Sequence, residues 1–336
     1  MAAPIVVRLM SQRDDLDATS VKRRMPGSTL DQGDIRFTTA DEPSDVIVVL
    51  NYLRYDTVLS ARSGYIWTWH NEPIVRTPFA KGFDRVYTHV ESDDRRTQLS
   101  PPILDWWVDK THDELEEMEP PEKQHKLSTI ASTKQTIEGH RRRNTFIAAA
   151  SRSIDCLHLY GRGRKRTIVD KWDGLRDYEF SIAIENTSKA DYWTEKISDC
   201  FLSYTVPFYF GAPNIRDYFP DNSFIWLPIE EPKRAIRIIE DALREDEWAS
   251  RLPALREARE LVLQRYSAHA QLARKIRSER DKILASPRAE VRVHGRRTRK
   301  GGWVRGAGLL GNLHVLRQRR QARLATGRSS LSPGSV

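Results

Sequence analysis

Residues 178–225 read YEFSIAIENTSKADYWTEKISDCFLSYTVPFYFGAPNIRDYFPDNSFI. An apolar strand stops at Glu185-Asn186 and a polar loop follows. The spacing then predicts a helix over 192–204, with Trp193, Ile197, Cys200, Phe201 and Tyr204 in phase. Its first turn would hold Tyr192, Thr194, Glu195 and Lys196. Unpaired N–H groups and the positive end of the helix dipole suit a phosphate or diphosphate there. Lys196 adds a mobile cation, Glu195 an acceptor for sugar hydroxyls, and Tyr192 a ring and a hydroxyl. Ligands of open α/β sheets sit at the carboxyl ends of the strands. A sugar carried on a nucleoside diphosphate fits this set of groups.

Other chemistries lack their residues. There is no GxxxxGK[ST], no HExxH and no GxSxG, and the nine histidines show no paired metal spacing. The string GRGRKR from Gly161 lacks a third glycine and reads as a turn. Asp15-Leu16-Asp17, the one Asp-x-Asp, reads as a solvated loop rather than a metal-bridging pair. Two cysteines, Cys156 and Cys200, permit neither a disulfide framework nor a four-Cys zinc site, and Cys200 is expected to be buried. Trp67, Trp69, Tyr209 and Phe210 are expected in the core rather than stacked on an acceptor. Asn186-Thr187-Ser188 matches a glycosylation sequon but overlaps the proposed site.

The elements that must hold these residues follow two α/β patterns. In the first, apolar runs at 5–7, 46–50, 65–69 and 86–90 predict strands, with a short helix over 51–63. The charged, proline-containing stretch 111–126 is the linker candidate. In the second, strands are expected at 127–132, 154–160, 180–185, 206–210 and 224–227, with a helix over 139–151. Such alternation gives a doubly wound parallel sheet. Residues 232–285 read as charged helices. The expected divisions are 1–120, 121–232, 233–286 and a basic tail at 287–336.

Length and composition fit a folded chain of two ordinary domains or one large one: 336 residues, 39% hydrophobic and 30% charged. The net charge of +9 is unevenly placed, because 287–336 carries +11 and leaves −2 for the rest. A recognition module for nucleic acid is therefore not expected, and no specific nucleic-acid partner is. No run of about 18 apolar residues occurs, and the N-terminus lacks a secretory layout, so a cytoplasmic chain is expected. The tail is open to three readings: a strip on an anionic membrane surface, non-specific nucleic-acid binding, or a solvated extension. The first is preferred, with Trp303, Leu309, Leu310, Leu313 and Leu316 as apolar anchors on the inner face of the cell membrane.

The run at 178–225 also resembles the signature of the α-1,3/1,4-fucosyltransferases, glycosyltransferase family 10, of bacterial type. The matching strings are IENT (184–187), DYWTEK (191–196), TVPFYFG (205–211) and NSFI (222–225), in the family's order. Ile184 and Trp193 depart from the Phe and Val usual there, and Trp193 would reshape the pocket. Upstream, LSTIASTK (127–134) and GHRRRNTF (139–146) are similar to the start of the family's donor domain. Arg143 matches the basic residue that approaches the diphosphate; the alternative for Arg141, Arg142 and Arg143 is a solvated helical face. IWTWHNEPIVRTPFAKGFDRVYTHVESD (66–93) resembles the acceptor-side stretch whose glutamate before a proline is the proposed base. That points to Glu72, against an ordinary loop acid, with His70 as the fallback base.

The resemblance implies a GT-B fold: two facing Rossmann-like domains, a C-terminal helix returning to the first, and the basic tail. It implies an inverting fucosyltransferase using GDP-fucose, with an oligosaccharide or lipid-linked glycan as acceptor. It implies no obligatory metal, a divalent cation remaining an option. Glu72, Lys196 and Arg143 would be catalytic. Glu185, Asn186, Tyr192, Thr194, Glu195, Lys196 and Arg143 would hold the donor. Its rivals are a GT-B transferase of another nucleotide sugar, a nucleic-acid binder built on the tail, and an inactive scaffold.

Overall fold

The computed structural model describes residues 3–11, 16–73, 81–103, 105–245 and 247–295. In the first half the elements are β1 (Ile5–Ser11), α1 (Ala18–Lys22), β2 (Ile35–Thr38), β3 (Val46–Leu50), β4 (Thr57–Arg62), β5 (Ile66–Trp69), β6 (Arg85–Thr88) and β7 (Thr97–Leu99). Six of these strands form a parallel sheet in the order β2-β1-β3-β5-β6-β7. Four successive residues of β3, Val46 to Val49, are buried, as a strand covered on both faces requires.

After α2 (His112–Glu116), capped by Thr111 and Glu114 in a reciprocal capping box, the second half begins. It contains β8 (His125–Ile130), α3 (Glu138–Ser153), β9 (Leu157–Tyr160), β10 (Tyr178–Ile184), α4 (Glu195–Leu202), β11 (Val206–Phe210) and β12 (Ile225–Trp226). Its parallel sheet has the order β12-β11-β10-β8-β9. The strand after β8 lies to one side and the strand after β10 to the other. The order therefore reverses between β8 and β10, and a ligand crevice belongs beyond their carboxyl ends. Phe180 and Phe208 stack at 5.3 Å in the core below, each contributing about 1.5–3 kcal/mol by burial.

Two helices cover this second core: α5 (Pro232–Arg244) through Ala235, Ile239 and Ala242, and α6 (Trp248–Leu261) through Leu255 and Ala258. A π-helical turn, Val262–Tyr266, then redirects the chain. α7 (Ala268–Ser278) and α8 (Arg280–Ala285) pack Leu272, Ala273, Ile276 and Ile283 into the first core. Arg85 of β6 is fixed to Glu279 at 2.7 Å. The chain thus passes between the halves twice. The passages touch, for Gln264 donates to Glu116 at 2.8 Å and Arg256 to Glu119 at 2.8 Å.

The two parallel sheets and the returning C-terminal helix are the architecture expected. Two local expectations change. The helix predicted over 51–63 is instead β4, which pairs antiparallel with β13 (Arg288–Val293). Leu59, Ala61 and Val293 on its inner face pack on Ile47, Val49, Ile66 and Phe83. A strand with so few buried positions leaves too short an alternation to read in the sequence. For the same reason the tail begins later than Pro287, since 288–293 is a strand; residues 296–336, with the proposed membrane anchors, lie outside the described residues. Among the described residues, no helix is long and apolar enough to cross a membrane.

Candidate active site

The carboxyl end of β10 delivers Glu185 into the crevice. Its carboxylate is 1% exposed and accepts from the Thr194 backbone N–H at 2.8 Å, the Thr194 hydroxyl at 2.8 Å and the Lys196 ammonium at 3.1 Å. Thr194 is extended and serves as N-cap of α4, so the helix starts at Glu195. Two expectations are thereby corrected. Tyr192 and Thr194 precede the first turn instead of lying in it, because the cap conformation of Thr194 breaks the helix there. The anion seated at the start of α4 is the protein's own Glu185, which accepts from the Thr194 backbone N–H. Lys196 is likewise held, not mobile.

A chain of alternating charges continues from this point. Glu195 lies 3.6 Å from Lys196 and 3.3 Å from Lys171, and Lys171 reaches Asp199 at 2.9 Å. Asp199 also accepts from the Trp107 backbone N–H at 2.9 Å, tying residues between the halves to α4. Burial opposes charge throughout. On Glu195 the neighbouring Lys196 and Lys171 outweigh it and hold the carboxyl at about 2. On Lys196, burial is outweighed by Glu185 and Glu195, and the ammonium is held above the ordinary lysine range.

From the other side of the switch point, α3 contributes Arg143, 6% exposed. Its guanidinium donates to the Asn186 side-chain oxygen at 2.8 Å and the Ser132 carbonyl at 3.3 Å. Its Nε is buried without a partner among the described residues. Arg141 and Arg142, by contrast, point outward to Glu138 and Glu230. Only Arg143 of the three is turned inward, where it lines a cavity together with Lys196, Lys171 and Asp199. The start of α3 lies directly on the loop after β10: a Cβ on Gly139 would fall 1.7 Å from the Asn186 carbonyl oxygen.

The first sheet brings its own carboxyl ends to this place. Glu72 follows β5 and is exposed. Tyr192 is 2% exposed, with its ring 4.6 Å from that of His89, which follows β6. Burial pushes the Tyr192 phenol upward, and the charges of Glu185, Glu195 and Glu72 add to the effect. Glu72 thus lies near enough to Tyr192 for its charge to act on the phenol. His70, the fallback base, is 5% exposed and lowered to about 4 by burial and by His89. It is a weak base held away from solvent.

Structure and expectation part at further positions. Trp193 packs edge-on against Phe219, Tyr266 and Tyr218 at 5.1, 5.4 and 5.7 Å, so it anchors the core and does not shape the pocket. Trp67, Trp69, Tyr209, Phe210 and Cys200 are buried as expected. Asp17 caps α1 through the Ser20 N–H, a local role; Asp15 lies outside the described residues. Lys171 and Asp199 were missed. Asp199 falls four residues after Glu195, which places both on one face of α4, and that spacing was the available signal.

Residues 120–232 match the family model "Glycosyltransferase family 10 (fucosyltransferase) C-term". Over 64 residues the chain is 41% identical to a fucosyltransferase-like protein of Arabidopsis thaliana, covering 19% of this chain and 12% of that one. Over 58 residues it is 38% identical to an α-(1,3)-fucosyltransferase of Helicobacter pylori, covering 17% and 12%. These matches span about an eighth of each relative's length. A crystal structure of an α1,3-fucosyltransferase with GDP-fucose aligns over 75% of this chain and 83% of that one, at 19% identity and a TM-score of 0.48. The likeness to glycosyltransferase family 10 therefore lies in residues 120–232, the segment that holds Arg143, Glu185 and Lys196.

Proposed function

We propose that the protein is an inverting glycosyltransferase that moves fucose from GDP-fucose to a hydroxyl of a glycan. The observation that carries this reading is the convergence of Arg143 and Lys196 on the crevice where the strand order reverses, within the family 10 domain. Residues 121–232 would form the donor side and 1–120 the acceptor side.

In the reaction, the acceptor oxygen forms a bond to the anomeric carbon as the bond from that carbon to the β-phosphate oxygen breaks. GDP departs with the bonding pair, and the acceptor proton passes to Glu72. Attack from the face opposite the leaving group inverts the anomeric centre. Arg143 and Lys196 offset charge growing on the diphosphate, and losing one such contact typically costs about 10²–10³ in rate. Proton transfer to Glu72 adds about 10²–10⁴. Tyr192, Glu195 and Asn186 hold sugar and nucleotide in register, while Glu185 and Thr194 hold Lys196.

The test is calorimetric titration with GDP-fucose, GDP-mannose, GDP, UDP-sugars and dTDP-sugars, followed by a transfer assay with the donor that binds. Tight binding restricted to GDP compounds, with fucosyl transfer, is expected. Preference for a UDP- or dTDP-sugar would move the protein to another donor class, and binding of none of them would overturn the reading.

The tail belongs to the same proposal. Its net charge of +10 from Arg296 onward, interleaved with Trp303 and leucines, supports a strip on an anionic membrane, where lipid-linked glycans are presented. The full chain should float with anionic liposomes, and a chain ending at Gly295 should not. Equal flotation would remove the membrane from the account.

A further inference from the structure

The loop after β9 carries the string Gly161-Arg162-Gly163-Arg164, to which the reaction above assigns nothing. Gly161 and Gly163 have φ of 133° and 79°, and the loop lies hard against the segment leaving β8. A Cβ on Gly161 would fall 2.5 Å from the Ala131 carbonyl oxygen, and one on Gly163 would fall 2.2 Å from the Thr133 hydroxyl. Only glycines allow both the dihedral angles and the approach. The backbone pairing is direct, for Thr133 N–H donates to the Arg162 carbonyl at 3.1 Å.

This packing sets the guanidinium of Arg164 at the carboxyl end of β8. It donates to the Ala131 carbonyl at 3.2 Å and to the Asn144 side-chain oxygen at 2.8 Å. Asn144 is the residue after Arg143, and Ala131 lines the same cavity as Arg143 and Lys196. The charge of Arg164 is near enough to disfavour the charge on Arg143, second only to the effect of burial there. All four hydrogen-bond partners of the two arginines are neutral: Asn186, Ser132, Ala131 and Asn144. Neither arginine has a carboxylate within 4 Å among the described residues, although Arg141 and Arg142 on the same turn of α3 each have one. Two neighbouring guanidinium groups, each fixed by neutral acceptors and with no carboxylate in ion-pair contact, are arranged for an anion of more than one charge, although the charge of Glu185 also acts on Arg143.

We infer that Arg164 is a second ligand of the donor's diphosphate, closing with Arg143 on the two phosphoryl groups of the nucleotide. The inference rests on the donor reading above and assigns that site a contact from the glycine loop. The planar fork of each guanidinium suits two phosphoryl oxygens, which a lysine cannot match in geometry.

The experiment is calorimetry of the full chain and of Arg164→Gln and Arg164→Lys with GDP, inorganic pyrophosphate and guanosine, at two salt concentrations. Arg164→Gln is expected to raise Kd for GDP and for pyrophosphate about 10-fold or more, as loss of a charge-assisted contact does. Arg164→Lys should recover part of that loss, guanosine binding should be unchanged, and the salt dependence of GDP binding should become shallower. Wild-type affinity of Arg164→Gln for pyrophosphate would overturn the inference. So would an equal loss for guanosine, which marks a loosened loop. Pyrophosphate binding by the wild type without any GDP preference would overturn the donor reading and leave the arginine pair standing.

Discussion

The Arg143 guanidinium donates to the Asn186 side chain at 2.8 Å and so joins the helix after β8 to the loop after β10. This single bond spans the point where strand order reverses. It turns inward the one arginine of three that has no carboxylate partner among the described residues. Its length depends on how closely α3 approaches the loop, and that approach is set by Gly139.

Gly139→Ala tests this dependence. A methyl group 1.7 Å from the Asn186 carbonyl cannot be accommodated by a side-chain rotation, so α3 or the loop must shift. A cost of about 1–3 kcal/mol in stability is expected, as for other overpacked sites. GDP affinity should fall by at least 10-fold because Arg143 moves with α3. Denaturation and calorimetry measure the two effects, and a variant that matches the wild type in both would contradict the contact.

The Glu185–Lys196 pair makes a simple alanine scan misleading. Lys196→Ala would leave Glu185 buried with its ammonium partner gone, which typically costs about 3–5 kcal/mol. The double variant Lys196→Met with Glu185→Gln should recover most of that stability while transfer remains abolished. Urea denaturation beside a transfer assay separates the roles. If Lys196→Ala were as stable as the wild type, the pair would not be the support described.

Stability should fall on mild acidification. His70, His89, His140 and His269 are each lowered from 6.5 to about 4, chiefly by burial. The unfolded chain binds these protons from pH 6.5 downward, whereas the folded chain resists until about pH 4. The contribution is therefore complete above pH 6.5 and is lost progressively toward pH 4, at up to about 1.4 kcal/mol per pH unit for each group. Glu195, held at about 2, acts in a lower window, below about pH 4.5. Denaturation at pH 7.5, 6 and 5 should show the loss, and His269→Gln should flatten it. A flat profile from pH 7 to pH 5 would refute the assignment.

Where the chain is shortened matters. Ending it at Ser286 removes β13 and uncovers the edge of β4, together with the contact of the Gly295 N–H with Asp56 at 2.8 Å. Ending it at Gly295 preserves them. The shorter form should melt several degrees lower and the longer one close to the full chain, as differential scanning fluorimetry would register. Identical melting of both would mean that β13 contributes nothing.

Glu72 is exposed, so Glu72→Gln should leave stability unchanged while lowering transfer about 10²–10⁴-fold. Undiminished transfer would move the proton acceptor elsewhere.

Much of the second half was legible because its strands are long apolar runs flanked by polar loops. IENT and DYWTEK announce a strand end and a helix start even without a family to compare. What stayed hidden was set by contacts distant in sequence. β4 and β13 are separated by more than 200 residues, and neither has a full apolar face. Glu185 and Arg143 look equally ready to meet a ligand in the sequence. Only the fold distinguishes the carboxylate already engaged by Thr194 and Lys196 from the guanidinium held by neutral acceptors. The glycine loop was read as a turn, which it is, but its value lies in what it leans on.

Because the outbound passage at Glu116 and the returning one at Gln264 touch, the two sheets are tied together at one shared crossing. On the crevice side the ring of Tyr192 meets that of His89 at 4.6 Å, so a second tie between the halves closes the contact there.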